Sequence, residues 1–337
     1  MNGMRRNRRY HKTQKPAPKK QLCISGRKYL FAVVITFLFS QHSFAQLTYA
    51  TVGVEYDSAW ECNNLKLIPV KFKDTSLGRT RVVDNDVIPF ERALKEGKIT
   101  VKEMTIQGGA DVGMLEIKNH SKKNILIESG EMVAGGKQDR AFATTSIVPP
   151  GEKEVYLPVF CVEKGRWDDR LRAFRYAGPA NSSLRKQINI AKKQNKVWKE
   201  IDAELSEGGK DTKTSAYLEL YRDTTNKDSA CMAFFRKKFA ESDSLYAGFV
   251  AITGDHIINC EIFGSSDLCV TSFETMLKSY FRSVHDRTGT TKVSENEVKN
   301  FADKFLKSDE QQQKYLSDHG AIFTYDKKVI HVVAYPD

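Results

Sequence analysis

The chain has 337 residues, with 53 Lys and Arg against 42 Asp and Glu, a formal net charge of +11. The excess is local: the first 45 residues carry ten of the cations and none of the acids, leaving 43 against 42, or +1, for the remainder. A near-neutral body excludes the electrostatic footprint of a nucleic-acid or anionic-membrane binder, and its roughly 290 residues suffice for one large or two modest domains.

The amino terminus reads as a targeting segment. Ten cations from Arg5 to Lys28 precede the apolar run Tyr29 to Ser40, and Ser43 and Ala45 are the small residues before a cut at Gln46. A charged stretch, a short apolar run and a small-x-small end form a secretory signal peptide. Twelve apolar-run residues fall short of the ~20 a spanning helix needs. Residues 1–45 are therefore expected to be removed, leaving no stable membrane span and an exported protein, periplasmic or secreted; an uncleaved anchor is the alternative.

Residues 46–168 are predicted to be β-rich. Met114 to Lys118 and Ile125 to Ile127 alternate in polarity around the turn Asn119 to Lys122, the period of strands. Phe142 to Val148 and Val155 to Val162 flank Pro149-Pro150-Gly151-Glu152, where proline and glycine favour a turn. A hairpin centred there sets Arg140 opposite Cys161 and Gln138 opposite Glu163. Pro158 lacks a ladder donor, which predicts an edge or a bulge.

Residues 169–337 are predicted to mix helices with a hairpin. Leu184, Ile188, Ala191, Trp198, Ile201 and Leu205 recur at helical spacing, predicting one amphipathic helix over 183–206. After the polar loop 207–214, another helix is expected over 229–241. Strands 248–252 and 257–263 join at Gly254-Asp255, and Ser265 or Ser266 caps a helix bearing Phe273, Met276 and Tyr280. Ser294 and Glu297 form a capping box, and residues 327–335 end the pattern with a strand. The fold class expected is α+β, with sandwich-like antiparallel strands followed by a mixed helix and hairpin half.

Five cysteines follow the presequence: Cys62, Cys161, Cys231, Cys260 and Cys269. The odd number leaves a free thiol. Cys161 and Cys260 lie in apolar strand patterns and read as buried small residues; nearness in sequence makes a Cys260–Cys269 bridge conceivable.

The hairpin register brings two polar strings to one end, Lys137-Gln138-Asp139-Arg140 and Glu163-Lys164-Gly165-Arg166-Trp167. One reading is a site for an anionic, phosphate-bearing small molecule. Lys137, Arg140 and Arg166 supply donors, Trp167 stacks on a base or sugar, and Gln138 adds a polar contact. Glu131 and Glu163 hold hydroxyls or act as acid and base, which requires the carboxylates within about 5–10 Å. The other reading is a structural network pairing Arg140 with Glu163 and Arg166 with Asp139, with Trp167 plugging the core. No phosphate-binding loop, dinucleotide fingerprint or nucleophile elbow occurs. His285-Asp286 lacks further ligands at metal spacing, so neither metal nor cofactor is expected.

Gly130-Glu131, Lys137-Gln138-Asp139-Arg140, the Pro-Gly turn and the string Pro158 to Trp167 resemble the domain associated with ADP-ribosylglycohydrolases and rhodanese-phosphatase proteins. The block 248–281, ending Leu277-Lys278-Ser279-Tyr280, is similar to the same family. The resemblance covers about 62–285, implying a C-terminal extension, and departs from the family's pattern at Asp139 and Phe160, where Asn and Ser are usual. It implies a protein that binds or processes ADP-ribose or a related phosphorylated nucleotide; a non-enzymatic envelope or interaction protein is the rival class.

Overall fold

Hydrophobic alternation builds three sheets. The computed structural model describes residues 47–337 apart from 80–81, 84–85, 107–108, 152, 168–171, 211, 223–228, 242–244 and 285–288. The expected signal segment, Glu152 of the predicted turn and the His285-Asp286 pair lie outside the described residues.

A seven-stranded antiparallel sheet runs Val52–Val54, Leu65–Phe72, Tyr246–Thr253, His256–Phe263, Lys328–Ala334, Gly320–Tyr325, with Trp60–Cys62 also paired to Leu65–Phe72. Every residue of Tyr246–Thr253 is buried, because helices cover both faces of this central strand. Leu67, Phe249, Ala251 and Phe263 pack toward helix Ser266–Ser283, while Ile68, Val250, Ile252 and Ile262 pack toward helix Glu295–Leu306. Gly248 is demanded by close approach: a Cβ there would stand 1.8 Å from the Glu261 carbonyl oxygen.

A six-stranded sheet, in the order Arg175–Pro179, Glu131–Ala134, Arg140–Phe142, Val155–Cys161, Gly109–Asn119, Ile99–Ile106, faces a three-stranded one made of Ser146–Val148, Asn124–Ile127 and Val87–Pro89. Phe90, Leu115, Ile117, Ile125, Ile127, Val133 and Phe142 fill the space between them. The outer face of the six-stranded sheet is covered by Leu184, Ile188, Val197 and Ile201. The fold is α+β, as expected.

The predicted hairpin register holds at the far end only. Val159, Phe160 and Cys161 pair with Phe142, Ala141 and Arg140. Nearer the prolines the strands part: Ser146–Val148 joins Asn124–Ile127, and Val155 to Pro158 joins Met114 to Ile117. The two arms thus enter opposite sheets of the sandwich, and the Pro158 carbonyl accepts from the Ala143 N–H at the fork.

The single helix predicted over 183–206 is broken. Ser182–Lys186 runs into a π-turn, Gln187–Ala191, stopped by Lys192 in the left-handed region (φ 50), and a new helix spans Gln194–Glu207. The break lets the Gln194 amide bond both main-chain groups of Cys161, each at 2.8 Å. The Ser265 cap, the Gly254-Asp255 turn and the Ser294–Glu297 capping box form as predicted.

The disulfide joins Cys62 to Cys231, 169 residues apart, whereas Cys161, Cys260 and Cys269 are free and buried. A Cys260–Cys269 bridge is barred because the two thiols belong to cores on opposite faces of the seven-stranded sheet. Among the described residues no helix is long and apolar enough to cross a membrane, and no cluster of His, Cys, Asp or Glu suits a metal.

Closing so long a loop constrains the unfolded chain by about 5 kcal/mol in the chain-entropy account. Alkylation of the denatured protein should therefore label two more thiols after reduction than before, with Cys62 and Cys231 the additional sites by peptide mass mapping. Cys62→Ser should lower the melting temperature by several degrees. Equal labelling with and without reductant would contradict the assignment.

Candidate functional site

The two polar strings meet. Strands Glu131–Ala134 and Arg140–Phe142 are joined by a tight loop in which Gly135 (φ 130) and Gly136 (φ 52) adopt conformations that other residues resist. A Cβ on Gly136 would lie 2.2 Å from the Phe174 ring, so glycine also answers a packing demand. The loop turns its carbonyls inward, and Arg166 fills the concavity. Its Nη1 donates to the Gly136 and Lys137 carbonyls at 3.1 and 3.3 Å, and its Nη2 to the Gly135 carbonyl at 3.2 Å and Asp139 Oδ1 at 2.8 Å. Its Nε donates to Glu163 Oε2 at 2.6 Å. All five guanidinium N–H bonds are thereby engaged, so Arg166 acts as the clamp of the loop.

Gln138 reinforces the clamp by donating to the Glu163 carbonyl at 2.8 Å. Asp139 also accepts from the Gly135 N–H at 2.9 Å, and burial pushes its carboxyl above the usual range. Arg140 lies opposite Cys161, as the register predicts, but is completely buried. Its guanidinium pairs with Glu103 at 3.5 Å and reaches Gln138 Oε1 at 3.3 Å. The ion pairs expected in the structural reading are thus redistributed: Arg166 takes both Asp139 and Glu163, and Arg140 takes Glu103. The reason is depth, since Arg140 points into the sheet and Arg166 into the loop.

Two members of the strings face outward. Trp167 is 52% exposed rather than a core plug, and the Lys137 ammonium sits 4.7 Å from the centre of its ring. Exposed Arg172 and Arg175 flank the same loop: the Arg172 carbonyl accepts from the Gly136 N–H, and Arg175 is paired in register with Ala134.

Glu131 lies in a second buried cluster, and among the described residues its side-chain hydrogen-bond partners differ from those of Glu163. It accepts from the Glu128 N–H at 2.8 Å and the Tyr176 hydroxyl at 2.9 Å. Beside it, Arg185 forms a bidentate pair with Glu261 at 2.6 and 2.7 Å and donates to the Ser129 carbonyl at 3.2 Å. His331 Nε2 lies 3.2 Å from Glu261, and its Nδ1 lies 3.0 Å from the Thr145 hydroxyl. Burial alone would raise Glu261, but Arg185 and His331 hold it well below the carboxylate range; burial lowers His331. Burial pushes Glu131 up to about 7, and Glu128 is raised by burial and by the neighbouring Glu131 and Glu261.

Arg185, Glu261, His331 and Glu128 were not among the sequence-derived candidates. Their signal is a charge inside an apolar pattern: Glu261 in "IINCEIF", His331 in "VIHVVA", and Arg185 directly after Leu184 on a helix.

The architecture is that of an α+β domain with largely antiparallel sheets, in which internal arginines clamp loops and sheets. The chain belongs to the family of the ARG and Rhodanese-Phosphatase-superfamily-associated Protein domain, whose model matches residues 53–335. The match runs beyond the expected 62–285, and includes the C-terminal strand Lys328–Ala334. No curated protein and no solved structure matches the chain.

Removing the clamp strands two carboxylates and three carbonyls. Arg166→Ala should cost roughly 3 kcal/mol in urea denaturation, and Arg166→Lys should restore little, because one ammonium cannot reach all three sides of the loop. An alanine variant as stable as the parent would remove the clamp.

Glu131 sets a pH dependence. Its value rises from 4.5 when unfolded to about 7 when folded, so the native state holds a proton that the unfolded state has released between those pH values. Its contribution to stability is complete below about pH 4.5 and is lost as pH climbs through 7. Glu261 works in the opposite sense, its contribution present above the unfolded value and lost in acid. Glu131→Gln should narrow the loss of unfolding free energy between pH 5 and pH 8; an unchanged loss would refute the linkage.

Proposed function

We propose that this is an exported binding protein for a phosphorylated nucleotide derivative of the ADP-ribose kind, recognised at the outer rim of the clamped loop. The carrying observation is the Lys137 ammonium poised 4.7 Å over the half-exposed indole of Trp167. An aromatic face beside a cation suits a base or sugar next to a phosphate. Arg172 and Arg175 add positive charge at the same loop, while Gln138, Arg140, Glu163 and Arg166 serve by holding that loop still. Rigid presentation reduces the ordering cost of binding. The family relationship supports the ligand class. The presequence supports export, and so does the Cys62–Cys231 disulfide, since such bonds persist in oxidising compartments.

A second reading, a non-enzymatic envelope or interaction protein, is favoured by the complete engagement of Arg166 and by Asp139 and Glu163 beneath the rim. Calorimetry separates the two. Titration with ADP-ribose should give saturable heat, with Trp167→Ala and Lys137→Ala each weakening binding about tenfold while leaving the melting temperature nearly unchanged. Absence of heat up to millimolar ligand would leave the interaction reading in place.

A further inference from the structure

A different surface carries a partner-binding device. Strand Gly320–Tyr325 ends the seven-stranded sheet and, among the described residues, is paired on one side only, through Lys328–Ala334. Its other edge opens on a groove of about 600 Å³. Four consecutive residues, Gly320 to Phe323, line that groove. Side chains alternate between the faces of a strand, so four lining residues in a row mean that the groove follows the backbone edge. Among the described residues no further backbone hydrogen bond reaches this edge. Exposed edges are usually blunted. Here a register shift between Phe323 and Thr324 disrupts the outer portion, while Gly320 to Phe323 keep an even register with Ala334 to His331.

The facing wall is apolar, built from Phe160, Ile190 and Leu316. Asn189 lies at the base, its amide fixed by the Ser129 and Tyr335 hydroxyls. Lys192 is exposed at the rim, and no residue lining the groove is acidic. The groove therefore offers a strand edge, an apolar wall and one unopposed sign of charge.

We propose that this groove takes an extended apolar peptide by strand addition, with the peptide's terminal carboxylate on Lys192. An edge of four residues runs about 13 Å, enough to pair a segment of four or five. Charge selects the occupant. A second copy of this chain would bring its own Lys192 to a twofold contact and no groove acid to meet this one, whereas a carboxylate-ended peptide complements it. The surface stands apart from the Trp167 rim, so its success or failure is independent of nucleotide binding.

The test is fluorescence anisotropy of the purified protein with a labelled pentapeptide of alternating Val and Thr bearing a free carboxylate. Its C-terminal amide and two forms N-methylated at alternate residues complete the set. Saturable binding is expected, weakened about tenfold by amidation and by Lys192→Gln. One N-methyl register should abolish binding and the other leave it intact, because only alternate amides face the edge. Binding indifferent to both registers would overturn strand addition, and so would no saturable signal at millimolar protein. A concentration-dependent dimer whose formation excludes the labelled peptide would assign the edge to a second copy and overturn the peptide.

Discussion

The buried pair of Arg185 and Glu261 is the constraint on which the rest of this architecture turns. Arg185 comes from the helix over the six-stranded sheet and Glu261 from the seven-stranded sheet, and both are almost wholly excluded from water. The guanidinium reaches Glu261 across Gly130, where a Cβ would stand 2.5 Å from the Arg185 side chain. Glycine at 130 is thus part of the ion pair. Thr145 and Ser129, from the turns between strands of the sandwich, complete the junction through His331 and the Arg185 side chain. Removing either partner would leave a buried charge uncompensated, at a cost of several kcal/mol. An apolar pair would hold the layers together too, but would not fix which turn meets which strand.

Arg166 repeats the device at the sandwich's end. Both arginines satisfy carboxylates and main-chain carbonyls together, which suits the planar fork of guanidinium. The difference lies in what they secure: Arg185 joins layers, whereas Arg166 shapes a loop of five residues. Asp139 contributes to the second role. An acid would weaken an anion site, but it strengthens a cavity whose occupant is the protein's own cation.

Local chemistry was legible in the sequence, and partnership was not. The Pro-Gly turn gives the pairing of Arg140 with Cys161, because a turn fixes register along the strands it joins. It does not reveal that those strands diverge into opposing sheets, which depends on Asn124–Ile127 and Gly109–Asn119. Likewise, caps at Ser265 and Ser294 are short-range and readable, while a disulfide over 169 residues is not. For the polar strings, residue types disclose donors and acceptors without disclosing aim. Arg140, Arg166 and Lys137 are alike as cations, yet one is buried, one clamps a loop and one lies over an indole. The break at Lys192 escaped because apolar residues recur at helical intervals on each side of it, Leu184 and Ile188 before and Val197, Ile201 and Leu205 after, while the left-handed residue between the two helices is a lysine, which does not mark a turn as glycine does.

Inward use of charge determines what recognition chemistry is left at the surface. Arg185, Glu261, Arg140, Glu163 and Arg166 are committed to the fold, so they bind a partner only if the fold gives way. Recognition then falls to groups nearer the surface. One such group is the Lys137 ammonium and the Trp167 indole on a loop too rigid to collapse over them. The other is the main chain itself along Gly320 to Phe323, whose outer edge no strand among the described residues pairs with. Each depends on a buried arrangement behind it: the Arg166 clamp beneath the rim, and the Asn189–Ser129–Tyr335 bonds beneath the groove. Substitutions within the buried arrangements would therefore reach the surface chemistry indirectly, by loosening it, while substitutions at Trp167 or Lys192 would alter it without loosening anything.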